Sequence, residues 1–548
     1  MSVALDLGIV VGYAIVALGI GLVAYRLTER SAEDYYLASR TIGTVVLLFT
    51  TFATLLSAFT FFGGPNLAYS AGPEWILVMG LMDGVLFGIL WYVIGVKQWA
   101  IGQSTGAVTI GELLDDQFDS TALRVLVATI SLFWLLQYIM LQQVGAGRAL
   151  RALTDGVVPV WAGATLLTVF MILYVAIAGM RGVAWTDTLQ GLVMLGVIWV
   201  AVAWVAIDAG GFGTLTSAVG DSNPEFLALG GGLYSPQYVL STAITIAVGV
   251  TMFPQINQRF FVARSQRVLK RTLSLWPLLV VLLFVPAFML GTWAAGLGIE
   301  TTPNGNILPA LLNATTPGWF AAVVVAGAVA AMMSSSDSML LSGSSYLTRD
   351  LYRPLVGGSE ASEDLVARIG VVALALVALV LSLGTDLTLI ELGAQAFNGY
   401  AQLAIPVALA LYWSGTTARG MIAGILAGES VYVLDTFWGL LPAVGALPAE
   451  SPIPAIGGFS VALWCLVLGA GVTVVVSRDW SERTARGTIA GILAGGSVFV
   501  IDAFWHRLPT VGPLPAESPI PAIGGFSVAL WCLVLGAVVA VVVWLLTD

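Results

Sequence analysis

The sequence predicts an all-α integral membrane protein, and three observations lead to that prediction. Of the 548 residues, 58% are hydrophobic and only 9% are charged, and the mean hydropathy is +0.95. A soluble domain of this length would need more charged residues to cover its surface. Apolar stretches of about 20 residues, the length that crosses the hydrocarbon core, recur between short polar connections. Most of the chain is therefore expected to lie in a lipid bilayer.

The apolar windows predict fifteen transmembrane helices. They are placed at 5–26, 44–70, 75–97, 123–147, 157–179, 185–208, 236–256, 270–297, 318–346, 365–386, 389–414, 417–438, 457–477, 485–505 and 524–546. No basic residue precedes the first apolar run in Met1–Asp6, so the first helix is expected to be retained rather than cleaved as a signal peptide.

The basic residues predict the orientation of the chain. If the N-terminus lies outside, the cytoplasmic connections hold 18 of the 21 Lys and Arg residues, including the run at 259–271. The outer connections then hold only Arg148, Arg151 and Arg507. By the positive-inside rule we expect a multi-pass protein of the cell (cytoplasmic) membrane with an external N-terminus and a cytoplasmic C-terminus.

The C-terminal region, 417–548, contains a tandem repeat with a period of 67 residues. Residues 417–476 match 484–543 at 49 of 60 positions, and Cys465 and Cys532 are equivalent in the two copies. We interpret the second copy as a duplicated helix pair without a role in transport, and a docking surface for a partner is the alternative. Both cysteines lie in apolar segments, so no disulfide is expected.

Several function classes are disfavoured by what the chain lacks. No polar connection exceeds about 30 residues, which leaves no room for an attached soluble catalytic or nucleic-acid-binding domain. The one histidine, His506, lies at a predicted membrane boundary. No pairing of a nucleophile with a base and no metal-ligand pattern is evident, so we expect neither an enzyme nor a nucleic-acid partner.

Two predicted helices carry interruptions. In the second helix, residues 53–58 precede the Gly63–Asn66 stretch, and in the seventh helix residues 248–255 include Pro254. Proline removes a backbone donor and glycine weakens a helix, so carbonyl groups near these points can be released from helical bonding. A kinked but continuous second helix is the alternative. Paired interruptions at equivalent places of two halves are typical of a binding site at the membrane midplane.

The ninth predicted helix carries a polar cluster at membrane depth. Ala331, Ser334, Ser335 and Ser338 share one helical face, and Asp337 lies beside them. Hydroxyl and carbonyl oxygens suit a hard monovalent cation, although small serines also serve close helix packing. A carboxylate at this depth needs a partner, a proton or a cation, so Asp337 is a candidate site for a second cation.

A further polar element, Trp185–Gln190, opens the sixth predicted helix near the cytoplasmic face. Its threonine and aspartate would suit ordinary helix capping, and a functional role for Asp187 is the alternative that the residues leave open.

These elements together resemble the sodium:solute symporter family, which includes sodium/proline, pantothenate and sodium/sugar symporters. The residues that carry the resemblance run in order from about 30 to 415. They are Asp34–Arg40, Leu56–Ala58 with Gly63–Pro65, Gly145–Arg148, Ala184–Gln190, Arg259–Phe260, and Met333–Ser335 leading to Asp350–Tyr352. The usual thirteen helices of the family equal fifteen minus the duplicated pair.

The resemblance implies a leucine-transporter-type 5+5 inverted-repeat core. This core is expected at 44–414, formed by the second to sixth and the seventh to eleventh predicted helices. An extra N-terminal helix and a cytoplasmic loop occupy 1–43, and the extra C-terminal helices occupy 417–548. The sodium site implied by position uses the carbonyls of Ala53, Leu56 and Ala331 and the hydroxyls of Ser334 and Ser335. Asp187 matches a family aspartate associated with sodium passage toward the cytoplasm.

The implied activity is sodium-coupled symport of a small organic solute by alternating access, with Na⁺ as the coupling ion and no organic cofactor. Leu55 stands where proline transporters show an aspartate, and Ile246 and Val250 stand where aromatic solute contacts are expected, so a proline substrate is disfavoured. A monocarboxylate, pantothenate and an amino acid remain open, as do stoichiometry and oligomeric state. The candidate solute contacts are Ser57, Gln137, Gln142, Thr251, Gln395 and Asn398. A proton-coupled symporter of the same fold, a non-transporting solute sensor and a channel are the alternatives.

Overall fold

The computed structural model describes residues 3–26, 32–301, 305–357, 360–438, 451, 453, 455 and 458–478. Within these ranges the regular structure is helical, with one isolated parallel bridge between Ile42 and Ala263. The α-helices are α1 Val3–Arg26, α2 Ala32–Leu37, α3 Thr44–Leu55, α4 Gly64–Ala71, α5 Asp83–Thr105, α6 Ile110–Phe118, α7 Thr121–Leu153, α8 Val160–Asp208, α9 Phe212–Ser222, α10 Pro236–Val250, α11 Pro254–Phe261, α12 Gln266–Gly296, α13 Ile307–Thr315, α14 Gly318–Ser345, α15 Arg353–Leu355, α16 Glu360–Leu383, α17 Leu389–Tyr412, α18 Ala418–Thr436 and α19 Val461–Arg478. Wider π-helical turns occupy Phe59–Gly63, Ile76–Met82 and Tyr346–Tyr352.

The first thirteen predicted helices all fall on helical segments of the described chain. Seven of these segments are long and apolar enough to cross a membrane, or nine if each of two bent helix pairs counts as one span. Leu7–Val23 and Val160–Val175 are shorter apolar helices. The predicted helices at 485–505 and 524–546, with the second copy of the repeat, lie outside the described residues, so the total of fifteen stays a prediction.

The fifth and sixth predicted helices form one long element, α8, which changes direction at Gly179. This glycine has φ 55° and ψ −172°, and a Cβ atom there would lie 3.0 Å from the Tyr35 ring. The left-handed backbone and the close ring both require glycine. Asp187 follows eight residues later inside the helix, so the capping interpretation of Trp185–Gln190 is wrong.

The two predicted interruptions are present, and the first lies within residues 53–58, ahead of Pro65 rather than at it. The α3 helix ends at Leu55 and the chain bends by 61° before Phe59. The Gly63–Pro65 stretch remains helical, because the π turn Phe59–Gly63 widens the backbone ahead of the proline. In the seventh predicted helix, α10 ends at Val250 and α11 begins at Pro254 with a bend of 53°, as the proline predicts.

The described residues divide into two compact units, one that ends at Ala404 and one that runs from Ile405 to Arg478. In the first unit α14 is almost wholly buried, and α3, α7 and α8 are among the helices that pack against it. The predicted external loops contain two helices, α9 and α13. In the second unit, α18 and α19 form a closely packed pair, since a Cβ atom at Gly424 would lie 1.9 Å from Thr473 Oγ1. The first copy of the repeat is therefore a helix hairpin.

Candidate functional site

The break after α3 exposes a run of backbone carbonyls in the interior of the first unit. Among the described residues, no backbone N–H group donates to the carbonyls of residues 53–56. The chain beyond the break is held by side chains instead. The Ala58 N–H donates to Gln142 Oε1 at 2.9 Å, and the Phe59 N–H donates to Ser57 Oγ at 3.2 Å. Gly145 permits this approach, because a Cβ atom there would lie 2.3 Å from the Ala58 Cβ atom.

The serines of α14 lie against this break. The single proton of the Ser335 hydroxyl is shared between two acceptors, the carbonyl of Thr54 at 3.0 Å and the carbonyl of Leu56. Ser334 Oγ, one residue earlier, donates to Asp187 Oδ1. Leu56, Ser334 and Ser335, three members of the predicted sodium set, are thus brought together. Ala53 and Ala331 are fully buried, the first directly before Thr54 and the second one helical turn before Ser335. The carbonyl of Thr54 was not anticipated from the sequence.

Asp187 is the centre of a buried hydrogen-bond network below these serines. Its Oδ2 atom accepts from Thr50 Oγ1 at 2.5 Å and from Thr54 Oγ1 at 3.4 Å. Thr54 and Ser338 share a hydrogen bond of 2.9 Å. Side chains from α3, α8 and α14 therefore meet around one carboxylate that is fully removed from solvent.

A buried arginine, which the sequence had placed in a cytoplasmic connection, completes the network. The seventh predicted helix ended at 256, whereas α11 continues to Phe261 and carries Arg259 into the interior. The Arg259 Nη2 atom lies 3.2 Å from Asp187 Oδ2, 2.5 Å from Ser338 Oγ and 3.3 Å from Thr50 Oγ1. Its Nε and Nη1 atoms have no hydrogen-bond partner among the described residues. The sequence signal that could have identified Arg259 is the resemblance of Arg259–Phe260 to the family, because a run of basic residues by itself indicates only a membrane boundary.

Asp337 is separate from the serine face. Its carboxylate is 2% exposed, and its Oδ1 atom has no partner in the described part of the chain. It lies within electrostatic range of Asp187 and of the hydroxyls of Tyr13 and Tyr174, which belong to α1 and α8. Within the described ranges, the neighbouring Ser336 donates only to its own helix, at the carbonyl of Met332. Asp337 therefore lies toward α1 and α8, beside the network rather than among the three serines.

An aromatic cluster lies where the two broken helices face α7 and α17. Phe253 lies at the second break, with its ring centroid 5.0 Å from that of Tyr138 and 4.8 Å from that of Tyr400. Phe59, just after the first break, lies 5.0 Å from Phe397. The sequence had anticipated no aromatic residue here, because aromatic side chains occur throughout the apolar windows. The cluster gives the region between the breaks an apolar lining with hydroxyl groups at its edge.

The predicted solute contacts divide between the two breaks. Ser57 Oγ accepts a hydrogen bond of 3.0 Å from the Tyr138 hydroxyl, and both it and Gln142 are fully buried. The Gln142 amide is committed within the protein, since its Nε2 atom also donates to the carbonyl of Tyr138. Gln137 and Asn398 are half-buried, and Gln137 Oε1 and Asn398 Oδ1 accept no hydrogen bond from the described residues.

The remaining candidates lie along the second break and α17. Ile246 and Val250 are buried near the end of α10, and Thr251 Oγ1 donates to the carbonyl of Ala247. Gln395 is half-buried on α17. Asn257, which the sequence had not indicated, closes this break by donating to the carbonyls of Thr251 at 3.2 Å and Phe253 at 2.7 Å.

Comparison with known proteins gives this geometry a family context. The sequence profile described as "Sodium:solute symporter family" matches residues 35–428. The sodium/pantothenate symporter of Escherichia coli (strain K12) is 28% identical over 438 residues, covering 77% of this chain and 89% of the relative. The sodium/proline symporter of Salmonella typhimurium is 25% identical over 490 residues, covering 85% and 94%.

Solved structures share the fold. A Na⁺-coupled sialic acid symporter in a substrate-bound outward-open state aligns with a TM-score of 0.71 at 17% identity, over 87% of this chain and 98% of that one. A nucleobase-cation symporter in a closed conformation aligns with a TM-score of 0.52 at 15% identity, over 80% and 92%. The helical fold is therefore of the leucine-transporter type. Since the profile covers most of its length, the chain belongs to the sodium:solute symporter family, whose members are transporters.

Proposed function

We propose that this chain is a sodium-coupled symporter that carries a small organic solute with a carboxylate group into the cell by alternating access. The observation that carries the proposal is the position of Ser335, whose hydroxyl meets the carbonyls of Thr54 and Leu56 at the break after α3. Ser334 lies beside it on Asp187. Several uncharged oxygens around one point suit a hard monovalent cation.

The sodium site consists of the carbonyls of Ala53, Leu56 and Ala331 and the hydroxyls of Ser334 and Ser335, with the Thr54 carbonyl as a further donor of lone pairs. A serine hydroxyl has one proton and two lone pairs. Ser334 can therefore keep its proton on Asp187 and still offer a lone pair to sodium. Arg259 compensates the charge of Asp187 on the opposite side, at 3.2 Å. Asp187 thus lies between the sodium site and a fixed cation, on the path of the ion toward the cytoplasm.

The solute binds between the two breaks, in contact with Ser57, Gln137, Thr251, Gln395 and Asn398. The helical segments that begin at Phe59 and Pro254 present their N-terminal ends there, and such ends carry partial positive charge that favours a carboxylate. The aromatic cluster and the apolar Ile246 and Val250 suit a hydrocarbon part. A monocarboxylate, pantothenate or an amino acid satisfies both requirements.

The charge of the solute decides how much work one sodium ion can do. One Na⁺ crossing ~100 mV gains ~2.3 kcal/mol, and a tenfold gradient adds ~1.4 kcal/mol. A neutral or zwitterionic solute could then accumulate roughly 500-fold. For an anion moving with one Na⁺ the voltage contribution cancels and only about tenfold remains. A second cation at Asp337 would restore the voltage contribution, and its Oδ1 atom, which has no hydrogen-bond partner in the part of the chain that the structure describes, supports that role.

The test is the thermal stability of the purified protein in sodium, lithium and choline at fixed pH, followed by sodium with single solutes. The panel contains amino acids, monocarboxylates, pantothenate and sugars. We expect a stabilisation specific to sodium that one carboxylate-bearing solute enlarges. A melting temperature that does not respond to saturating sodium but changes with pH would replace the proposal with proton coupling. Enlargement by a sugar alone would overturn the assignment of the solute class.

A further inference from the structure

A cavity outside the transport site lies at one end of three apolar helices. Its volume is about 470 Å³, and its walls come from the end of α7, the start of α8 and the end of α16. The span-forming parts of α7 and α16 end at Leu153 and Leu383, and α8 begins at Val160. Because two apolar spans end and a third apolar helix begins here, we expect the cavity to lie at the depth of the lipid headgroups.

The lining combines two guanidinium groups with an apolar rim. Arg148 and Arg151 both face the cavity, and the described side chains that line it include no acidic residue. In the topology predicted from the basic residues, these two are the exceptions on the outer face among the described helices. Trp161, which is 61% exposed, and Leu383 form the rim toward the surrounding lipid. Tryptophan is enriched at this depth of membrane proteins.

The two arginines have different roles because their surroundings differ. Arg148 is partly buried and donates to the carbonyl of Leu387 at 3.0 Å, within electrostatic range of Asp386 and Glu391, neither of which lines the cavity. Arg151 is exposed, and its side chain has no hydrogen bond or ion pair with the described residues. The Arg148 side chain is therefore held in place by its hydrogen bond to Leu387 and forms part of the cavity wall. The Arg151 guanidinium group has its N–H donors available for a ligand.

The α8 N-terminus contributes a second source of positive potential at the same place. Pro159 precedes the helix and also lines the cavity, and no side chain among the described residues caps this end. The unpaired N–H groups of a helix start favour anions. The guanidinium group of arginine can donate two parallel hydrogen bonds to two oxygen atoms of one phosphate group.

We propose that this cavity, defined by Arg148, Arg151 and Trp161, binds the phosphate of a membrane lipid headgroup, with an acyl chain lying along Trp161 and Leu383. A phosphate held between Arg151 on α7 and the start of α8 closes the open side of the cavity and joins these helices to α16. Free phosphate shares the headgroup chemistry but cannot use the apolar rim. The proposal does not depend on the transport activity.

The test compares three probes on the full-length protein purified in an uncharged detergent. These are dihexanoyl phosphatidylglycerol, dihexanoylglycerol, which lacks the phosphate, and inorganic phosphate, each titrated against the melting temperature. We expect saturable stabilisation by the phosphatidylglycerol, with one copy retained in native mass spectrometry, and little effect of the other two. Equal stabilisation by inorganic phosphate would overturn the lipid assignment in favour of a free anion. Equal stabilisation by dihexanoylglycerol would show that the arginines do not contribute.

Variants assign the effect to the cavity. Arg151→Gln is expected to weaken phosphatidylglycerol binding at least tenfold, because one charge-assisted contact is lost, whereas Arg151→Lys keeps the charge and loses less. Arg271→Gln, an exposed substitution on α12 far along the chain, is the matched control and should bind like the wild type. If Arg151→Gln binds like Arg271→Gln, the proposal is wrong. Since the exposed Arg151 side chain makes no hydrogen bond or ion pair with the described residues, its substitution is not expected to impair folding.

Discussion

Replacing Ser335 with alanine tests the sodium site at its best-defined point. The Ser335 hydroxyl is fully buried and meets the carbonyls of both Thr54 and Leu56. In the proposed site it is one of six oxygen ligands, counting the Thr54 carbonyl, and alanine removes it without changing the backbone. The variant should therefore fold and should bind sodium more weakly. Ser334→Ala removes the neighbouring ligand and should act in the same direction.

The size of the effect follows from the charge of the ligand. A hydrogen bond or dipole contact to a charged group contributes about 1.5 to 3 kcal/mol when both partners are removed from water. At about 1.4 kcal/mol for each factor of ten, the sodium concentration for half-maximal binding should rise roughly ten- to hundredfold. Ser336→Ala is the matched control, since Ser336 is equally buried on the same helix but bonds only to the Met332 carbonyl.

Binding can be measured without knowing the solute. Radioactive sodium binding to the purified protein in choline-balanced buffer gives the half-saturation concentration for each variant, and size-exclusion chromatography verifies that each is folded. We expect Ser336→Ala to remain within about twofold of the wild type, as substitutions remote from a binding site usually do. If all three serine variants bind sodium alike, the assignment of Ser334 and Ser335 is refuted.

Three further predictions test the surroundings of this site. Asp187→Asn or Arg259→Gln alone should lower the free energy of unfolding by about 3 to 5 kcal/mol, because each substitution leaves a buried charge without its partner. The double variant should lose less stability than either single variant. If a double-mutant cycle measured by denaturation gives strictly additive losses, the two residues are not paired. Asp337→Asn should reduce the number of sodium ions transported per solute in proteoliposomes, and an unchanged ratio would exclude the second cation site. Gly249→Ala should markedly lower the melting temperature, because its Cβ atom would lie 1.9 Å from the Phe397 carbonyl oxygen, whereas Gly196→Ala, with open space around it, should not.

The positions of the helices could be predicted from the sequence because the length of an apolar stretch is a local property of the chain. A span needs about 20 apolar residues, and each such window falls on a helix wherever the chain is described. The second break could also be predicted, since Pro254 starts α11 and lacks the N–H group that would have bonded backward. Local chemistry fixed these features, so no knowledge of the packing was required.

The first break could not be located in this way because side chains distant in the sequence create it. The chain remains helical through Pro65, which follows a π turn. The bend lies instead at Leu56–Ala58, where the Gln142 side-chain amide from α7 accepts a hydrogen bond from the Ala58 N–H group. The role of Arg259 was hidden for a related reason. Its burial depends on the extension of α11 and on a carboxylate 72 residues away, neither of which a charge count can indicate.

The orientation of the Ser335 proton links sodium binding to the position of α14. As the structure stands, this hydroxyl donates toward the Thr54 and Leu56 carbonyls, the same oxygens that sodium would require. A bound cation requires the proton to point away from it, so that a lone pair of the Ser335 oxygen can coordinate the ion. The hydrogen bonds that join α14 to the break after α3 are then replaced by coordination to the ion. Ser335→Ala should thus lower stability even without sodium, by about 1 kcal/mol for the lost hydrogen bond, and should also lose most of the stabilisation that sodium provides. Melting curves in choline and in sodium separate the two effects. If the melting temperature of Ser335→Ala equals that of the wild type in choline and is lower only in sodium, the hydroxyl coordinates sodium but its hydrogen bonds do not stabilise the sodium-free protein.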